Sequence, residues 1–307
     1  MQKFQIITIQ SDDDRYPQLL GQIHDFPKTL YCQGNLNLLA KNCFAVVGTR
    51  KLTSYGKEVT QNIVRGLVHA GFVIVSGLAL GIDSVAHQTT LDCDGETIAV
   101  LGTPLDQIYP PENSKLAEDI LNNNGLIISE YPAGYPGLRM NFAIRDRLIS
   151  GLSKGVLVIE APEKSGALIT AHCALDQNRD VFAVPGSIFS SNSVGPNSLI
   201  KKGAKLVTSA QDILDEYYSN LKLFNQLTTS PGKVSRLELA DKRKTVLSTK
   251  DPVQKIILDI LDGDEFVFID EIIRKSNKET SQIIASLSVL EIKGVVKNTG
   301  NGKYKKT

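Results

Sequence analysis

The chain has 307 residues, a formal net charge of +1 and 42% hydrophobic residues. This length accommodates one large domain and a small one, and the hydrophobic share excludes a chain that is disordered throughout. Lys and Arg number 18 against 21 Asp and Glu over residues 1–215, and 7 against 3 over residues 216–250. The total charge therefore predicts neither a nucleic-acid partner nor an acidic substrate, and a polyanion site on the large domain must be a local basic pocket.

The cysteines and the N-terminus indicate the compartment. The four cysteines have neither CxxC pairing nor the spacing of a disulfide framework, which is typical of reduced and mostly buried thiols. They are Cys32, Cys43, Cys93 and Cys173. The N-terminal stretch lacks the apolar core of a signal peptide, and no apolar run approaches membrane-spanning length. We expect a cytoplasmic protein without a membrane partner.

Residues 43–207 alternate short apolar runs with helical patterns. The runs are CFAVVG, FVIVSG, TIAVLG, LIISE, GVLVIEA, DVFAVPG and AKLVTS. Each is too short for a buried helix and most end in Gly, Pro, Ser or Glu, as core strands of a parallel sheet do. Helices are predicted around Tyr55, Val59, Ile63 and Leu67, and over residues 83–92, 112–123, 139–150 and 166–177. This pattern predicts an α/β domain with a largely parallel, doubly wound sheet.

The remaining residues divide into three parts. Residues 1–42 are expected to be an N-terminal extension packed on a Rossmann-like domain of residues 43–218. Residues 219–250 have weak periodicity and a positive balance, and we interpret them as a basic linker. Residues 251–307 contain three short helical patterns and a hairpin about a Gly-Asn-Gly turn, which predicts a small winged-helix domain. Its third helix has few Arg, Asn or Gln residues for reading base edges.

The loop after the first core strand resembles a nucleotide-binding turn without its fingerprint. A dinucleotide site would show GxGxxG, whereas this turn has Gly48, Thr49 and Arg50. The next strand ends in Ser76 and Gly77 rather than in the acidic residue that would hold a ribose hydroxyl. The turn predicts anion binding without dinucleotide chemistry.

Three loops at strand ends share small residues and hydroxyl groups. They begin at Gly48, Ser76 and Pro162, and the last, PEKSGALITA, opens a helix at Ser165 and Gly166. Main-chain N–H groups and helix N-termini in such loops can face an anion. Each loop alone is a weak signal, since such a sequence in an α/β protein is more often just a tight turn. Because ligands of doubly wound sheets lie beyond the carboxyl ends of the strands, we expect the three loops to line one crevice.

The segment GLRMNFAIRDRLISGLSKG supplies the positive charge. Arg139, Arg145, Arg147 and Lys154 cluster in sequence around Phe142. Arginines with an aromatic ring are suited to unpaired bases and phosphates. The alternative is a solvated helix face with Phe142 in the core.

Catalytic patterns are weak. Asp83 and His87 are four residues apart, but two ligands do not make a metal site, and Asp83 is interpreted as a helix cap. Glu130 and Glu160 are either acid/base groups, caps or partners for arginines. The chain lacks the GxxxxGK[ST], HExxH and GxSxG motifs. We therefore expect no catalytic residue, no metal and no cofactor.

Taken together, several stretches resemble the bacterial DNA-processing protein A (DprA/Smf) family from about Tyr16 onward. They include AVVGTRKLTSYG, VSGLALGIDSVAH, AVLGTPLDQIYPPEN, SEYPAGYPG, RDRLISGLSKGVLVIEAPEKSGALITAHCALDQNRDVFAVPGSI and GPNSLIKKGAKLV. Little precedes Tyr16, so we expect no N-terminal helical domain of the kind that many members have. The resemblance implies an extended Rossmann-like fold, a homodimer and single-stranded DNA binding. It further implies delivery of incoming DNA to a RecA-type recombinase during natural transformation.

The loops and the resemblance together give the expected site. The expected DNA-binding residues are Gly48, Thr49, Arg50, Ser76, Gly77, Asn141, Phe142, Arg145, Arg147, Lys164, Ser165, Gly166 and Thr170. The expected dimerisation residues are Leu199, Ile200 and Leu206. The family tends to show Phe-Pro-x-Arg-Asn-Arg, whereas this chain has alanine after Phe142 and Asp146 between its arginines. We expect a less rigid loop before the helix and a lower local positive potential.

Two other functions fit the sequence less well. A Rossmann-type nucleotide phosphoribohydrolase of the lysine-decarboxylase-like group would need a Pro-Gly-Gly-x-Gly-Thr stretch followed by Glu, which the glycine-rich points here do not match. A transcription regulator is disfavoured by the arginine-poor recognition helix.

Overall fold

The computed structural model describes residues 5–217, 252–261, 267–276, 278, 282–283, 286–287, 290–291, 296–298 and 303–306. The chain divides into two compact units, Met1–Gln226 and Leu227–Thr307. The predicted basic linker, residues 219–250, lies outside the described residues.

The first unit contains a nine-stranded sheet. Its strands are β1 Ile7–Gln10, β2 Thr29–Gly34, β3 Cys43–Val47, β4 Val73–Ser76, β5 Thr97–Leu101, β6 Leu126–Ser129, β7 Gly155–Val158, β8 Asp180–Ala183 and β9 Lys205–Leu206. The order is β1-β2-β6-β5-β4-β3-β7-β8-β9. Strands β3 to β9 are mutually parallel. The predicted Rossmann-like α/β class is confirmed, and each of the seven predicted strands is present.

Helices α1 to α6 pack on the sheet. They are α1 Ser54–His69, α2 Ile82–Asp92, α3 Ser114–Asn122, α4 Arg139–Gly151, α5 Gly166–Asp176 and α6 Val194–Lys201. Residues 210–217 are also helical. The first five match the predicted helices within a few residues. The expected loop before the helix is wrong, because Phe142 and the arginines after it lie inside α4.

Helices cover both faces of the sheet, which is why its central strands are apolar throughout. One core cluster joins strand residues to Leu148 and Ile149 of α4 and to Ala171 of α5. On the opposite face a second cluster includes Ile63 and Leu67 of α1. Burial of each such aliphatic side chain stabilises the fold by about 1.5–3 kcal/mol. The strand ends, and the loops after them, are thereby held at one edge of the sheet.

The N-terminal residues are part of the sheet itself. β2 pairs antiparallel with β6, and β1 pairs antiparallel with β2. Ile9, Leu30 and Cys32 are fully buried in the core of the large unit. The expected extension over residues 1–42 therefore continues the sheet instead of only packing on it.

The second unit has its own small core. Helices Pro252–Ile260 and Ile269–Ser276 precede strands β11 Val296–Asn298 and β12 Lys303–Lys306, with β10 Val267–Phe268 between the helices. These strands form an antiparallel sheet in the order β10-β12-β11. The third predicted helix falls largely outside the described residues, so the winged helix stays a prediction. In the part of the chain that the structure describes, no helix combines the length and apolar character needed to span a membrane.

Candidate functional site

A pocket of about 1030 Å³ opens at the carboxyl-end edge of the sheet. It is lined by residues after β3, β4, β5 and β7, by α4 from Arg139 to Ile149 and by the start of α5. Nine of the thirteen expected DNA-binding residues line it. They are Gly48, Thr49, Arg50, Phe142, Arg145, Lys164, Ser165, Gly166 and Thr170. The expected crevice is therefore present, while the binding role of these residues stays a prediction.

The loop after β3 presents an arginine at the pocket. The backbone N–H of Thr49 donates to the Glu160 carbonyl oxygen at 2.6 Å. A Cβ on Gly48 would lie 2.5 Å from Cγ1 of Ile82, so only glycine permits this approach of α2. Arg50 is exposed and makes no ion pair with any residue in the described part of the chain. Its guanidinium is available to an anion in the pocket.

The loop after β4 forms a supporting layer. The Ser76 hydroxyl is buried and donates to the Val46 carbonyl oxygen at 2.7 Å. The N–H of Gly77 donates to Oδ2 of Asp83 at 3.1 Å, and Ala79 donates to the same oxygen at 3.4 Å. Asp83 was expected to cap α2, but it accepts these bonds from the preceding loop. Gly77 lines a smaller adjoining pocket of about 160 Å³.

The loop after β7 leads into α5. Ser165 is the N-cap residue of α5, and its side chain accepts a bond from Ala167 N at 3.4 Å. Lys164 is exposed, whereas Thr170 is buried at the pocket wall. The N-terminus of a helix carries a partial positive charge that favours anions. This side of the pocket therefore combines a lysine with a helix N-terminus.

Arg145 is a buried structural residue. Its Nη1 donates to the carbonyl oxygens of Gly77 at 2.8 Å and Val100 at 2.5 Å, and its Nε donates to Asp146 at 3.1 Å. Burial raises the pKa of Asp146 to about 6, against the lowering effect of Arg145 and with a smaller raising effect from Asp83. Burial also raises the pKa of Asp83. The pocket floor is thus a compact group of one arginine and two carboxyls.

Two aromatic rings stand at the α4 side of the pocket. The rings of Tyr109 and Phe142 lie with centroids 5.2 Å apart at 47°. Tyr109 is 47% exposed, and Phe142 is half-buried. Arg139, the first residue of α4, is exposed beside them and lines the same pocket. The α4 side of the pocket therefore combines apolar ring surface with a cation.

Tyr109 was not among the residues expected from the sequence to bind DNA. It follows β5, so the rule that ligands lie beyond the carboxyl ends of strands would have included its loop.

Like Ser76 and Gly77, Asn141 and Arg147 lie away from the pocket lining. Arg147 is paired with Glu130 through two bonds of 2.7 and 2.9 Å and with Asp25 at 2.8 Å. Asn141 is buried, and its Nδ2 has no hydrogen-bond partner among the described residues. Glu130 is accordingly an arginine partner, one of the alternatives that the sequence left open.

The other candidates for chemistry have structural roles. Glu160 accepts from the N–H and the hydroxyl of Thr53, at 2.9 and 2.6 Å, just before α1. Burial lowers the pKa of His87 to about 3, and its Nδ1 lies 2.7 Å from the Thr97 hydroxyl. The described residues contain no group of three side chains that could hold a metal ion.

The expected dimerisation residues differ in exposure. Leu199 is buried in the core of its own chain, with 4% exposed, so the expectation that it contributes to a surface patch is wrong. Ile200 is partly buried against that core, and Leu206 is 50% exposed. Dimer formation stays a prediction, with Leu206 as the accessible side chain.

The chain is similar to a group of known proteins. The family model for DNA recombination-mediator protein A matches residues 6–218. Protein Smf of Escherichia coli K12 is 38% identical over 93% of this chain and 74% of the relative. DNA processing protein DprA of Streptococcus pneumoniae is 47% identical over 70% of this chain and 75% of the relative.

Two solved structures are similar as well. The X-ray structure of DprA from Streptococcus pneumoniae has a TM-score of 0.66 and 46% identity, covering 70% of this chain and 75% of that one. A structure of DNA processing protein A from Helicobacter pylori, which concerns its single-stranded DNA binding mode, has a TM-score of 0.64 and 34% identity. It covers 71% of this chain and 98% of that one.

Proposed function

The chain belongs to the DNA recombination-mediator protein A family, and from this premise and the chemistry of its pocket we propose that it binds single-stranded DNA as a recombination mediator. The observation that carries the proposal is the combination of three exposed cations with ring surface in one pocket. The cations are Arg50, Arg139 and Lys164, and the rings are those of Tyr109 and Phe142.

Phosphates are the natural ligands of the cations. Guanidinium groups offer planar pairs of donors that match phosphate oxygens, and a lysine adds a point charge. Since Arg50 makes no ion pair within the described part of the chain, it does not have to break one to bind. Phosphate contacts of this kind bind all base sequences alike.

The rings favour an unpaired strand over a duplex. Bases in a duplex are stacked on each other, so their faces are unavailable to Phe142 or Tyr109. An unpaired base can stack on a side-chain ring, which contributes about 1–3 kcal/mol per base. The pocket therefore discriminates by the state of pairing and not by sequence.

A binding role is favoured over an enzymatic one. Glu130 and Glu160, the candidates for acid/base work, are engaged by Arg147 and Thr53. Asp83 and Asp146 support the pocket floor through Arg145 and the loop after β4. We propose that the chain holds its strand without cutting it and without nucleotide hydrolysis.

The partners follow from the family. We propose that the chain acts in the cytoplasm as a homodimer and transfers its strand to a RecA-type recombinase during natural transformation. The family's description as a recombination mediator and the exposed Leu206 support this. A pull-down with the cognate recombinase tests the transfer partner. Recovery of the recombinase is expected, and a consistent failure with DNA present would contradict it.

The central proposal is tested by competition. A labelled single strand is bound to the full chain, and unlabelled single-stranded or duplex DNA of the same sequence is added in a gel-shift assay. We expect the single strand to compete at far lower concentrations. A nucleotide-hydrolysis assay runs in parallel, and release of base or phosphate at an enzymatic rate would favour the phosphoribohydrolase function instead.

A further inference from the structure

Two apolar side chains project into solvent in the loop after β8. Ile188 is 82% exposed and Phe189 is 94% exposed, more than any other large apolar side chain that the structure describes. Neighbouring large apolar residues at such exposure are costly in water and indicate a surface that meets a partner.

The loop that carries them is held in place. The side chain of Asn197 donates to the Gly186 carbonyl at 3.0 Å and accepts from the Gly186 N–H at 3.2 Å. Asn192 donates from Nδ2 to the Lys51 carbonyl at 2.9 Å. A held loop has little conformational entropy left to lose when a ligand binds. Phe189 is therefore presented in a defined position.

The loop borders the pocket. The sheet order β5-β4-β3-β7-β8 places the loop after β8 directly beyond the four loops that line the pocket. Neighbouring strands are ~4.8 Å apart, so the carboxyl ends of β5 and β8 are separated by ~19 Å across the sheet. Two contacts join the loop to the pocket wall: Asn192 to Lys51, and the Ala161 N–H to the Asn192 carbonyl at 2.7 Å. These partners adjoin Arg50 and Pro162, which line the pocket.

The surface between the pocket and the loop after β8 is basic. In the loops after β3 and β7, Arg50, Lys51 and Lys164 are exposed, against one exposed carboxylate, Glu163. Exposed rings beside a row of cations are the features that bind unpaired nucleic acid, through base stacking and phosphate attraction. A polyanion can pair with that row of cations at successive phosphates, which favours a nucleic-acid strand over a second protein copy.

We propose that the single strand leaves the pocket across β7 and stacks a base on Phe189, with Ile188 packing beside it. This inference rests on the proposed single-strand binding and adds a second base-contact point, about 19 Å along the edge from the Tyr109 and Phe142 rings. A strand too short to reach from the pocket to the loop would gain nothing from Phe189.

The first test uses fluorescence. The chain contains no tryptophan, so Phe189→Trp introduces the only indole, and a base stacked on an indole quenches its emission. We expect strong quenching by an oligothymidylate of twelve nucleotides and little by a thymidine dinucleotide. Leu175→Trp is the control, because Leu175 is exposed near the C-terminal end of α5 and away from the pocket lining. Binding without quenching of the indole introduced by Phe189→Trp would overturn the proposal.

The second test uses affinity. Phe189→Ala should weaken binding of the twelve-nucleotide oligothymidylate about fivefold to a hundredfold, the range for loss of one stacked base. Dinucleotide binding should not change, and Phe189→Tyr should keep wild-type affinity. Equal affinity of Phe189→Ala and wild type for the long strand would contradict the proposal. So would a Phe189→Ala variant whose only change is a lower oligomeric mass, which would assign the loop to contact between copies.

The binding measurements distinguish failure of the proposed function from failure of the role of Phe189. If wild type binds the long strand and Arg50→Ala weakens that binding, the proposed role of the pocket is supported whatever the effect of Phe189→Ala. If wild type does not bind single strands at all, the proposed function fails, and the role of Phe189 fails with it.

Discussion

The guanidinium of Arg145 in α4 donates from Nη1 to the carbonyl oxygen of Gly77 at 2.8 Å. This bond ties α4 to the loop after β4 beneath the pocket. It also divides the arginines of the site into two kinds. Arg145 holds the floor together, whereas Arg50 and Arg139 are exposed to a ligand.

Arg145→Ala should destabilise the fold. It removes three hydrogen bonds and leaves Asp146 without its cation, and breaking a buried pair in this way costs about 3–5 kcal/mol. Urea unfolding of the purified chain measures the loss. Arg139→Ala, an exposed change on the same helix, should alter the free energy of unfolding by less than about 0.5 kcal/mol. Equal stabilities of the two variants would contradict the structural role of Arg145.

Single-strand affinity should rise as the pH falls through about 6. Above that value Asp146 is ionised and repels a phosphate in the pocket, and below it the carboxyl is neutral. The effect is at most about tenfold per pH unit, the limit for one linked proton. Fluorescence anisotropy with a labelled oligothymidylate at constant ionic strength measures it.

Asp146→Asn is the matched control for that pH dependence. Its amide oxygen can still accept from Nε of Arg145, but it cannot ionise. The variant should bind more tightly than wild type at neutral pH and lose the rise towards pH 6. A variant with the same pH profile as wild type would assign the titration to another group.

Leu206→Asp should convert a dimer to a monomer. Leu206 is half exposed, so a charge there is tolerated by the monomer but not by an apolar contact between copies. Light scattering at micromolar concentration measures the mass, with circular dichroism to show that the variant is folded. Leu199→Asp should instead unfold the chain, because that side chain is buried. Wild type that is monomeric under these conditions would exclude the dimer.

Truncation after Gln226 should leave most single-strand affinity intact. The pocket is formed within Met1–Gln226, and the last unit is charge-balanced, with nine basic against nine acidic residues over 251–307. Anisotropy titrations of the full chain and the truncated chain make the comparison. Loss of nearly all binding would move the principal site to the C-terminal part.

The fold was largely predictable because its signals are local. Short β-branched runs separated by amphipathic helices were sufficient to place β3 to β9 and α1 to α5. The antiparallel strands β1 and β2 were missed, since their identity depends on pairing with β6 and not on their own short patterns. Helix α6 was missed because it contains Gly195 and Pro196. Proline is compatible with the first turn of a helix, where its missing N–H costs nothing.

The site was predictable in position but not in the state of each side chain. Strand-end loops with small residues identified the crevice. No local pattern shows that Arg147 is bound by Asp25 and Glu130 while Arg50 is free, because those partners come from distant parts of the chain. The same holds for Leu199 and Leu206, because α6 packs Leu199 into the core whereas Leu206 of β9 is half exposed.

Phosphate binding in the pocket is tested most directly by the salt dependence of single-strand binding by Arg50→Ala. Removing one phosphate contact should reduce the slope of log K against log salt by about 0.7, equally for all base sequences. Arg65→Ala, which removes an exposed cation of α1 outside the pocket lining, should leave the slope unchanged. A folded Arg50→Ala variant that binds with the wild-type slope would show that the pocket does not hold the phosphates.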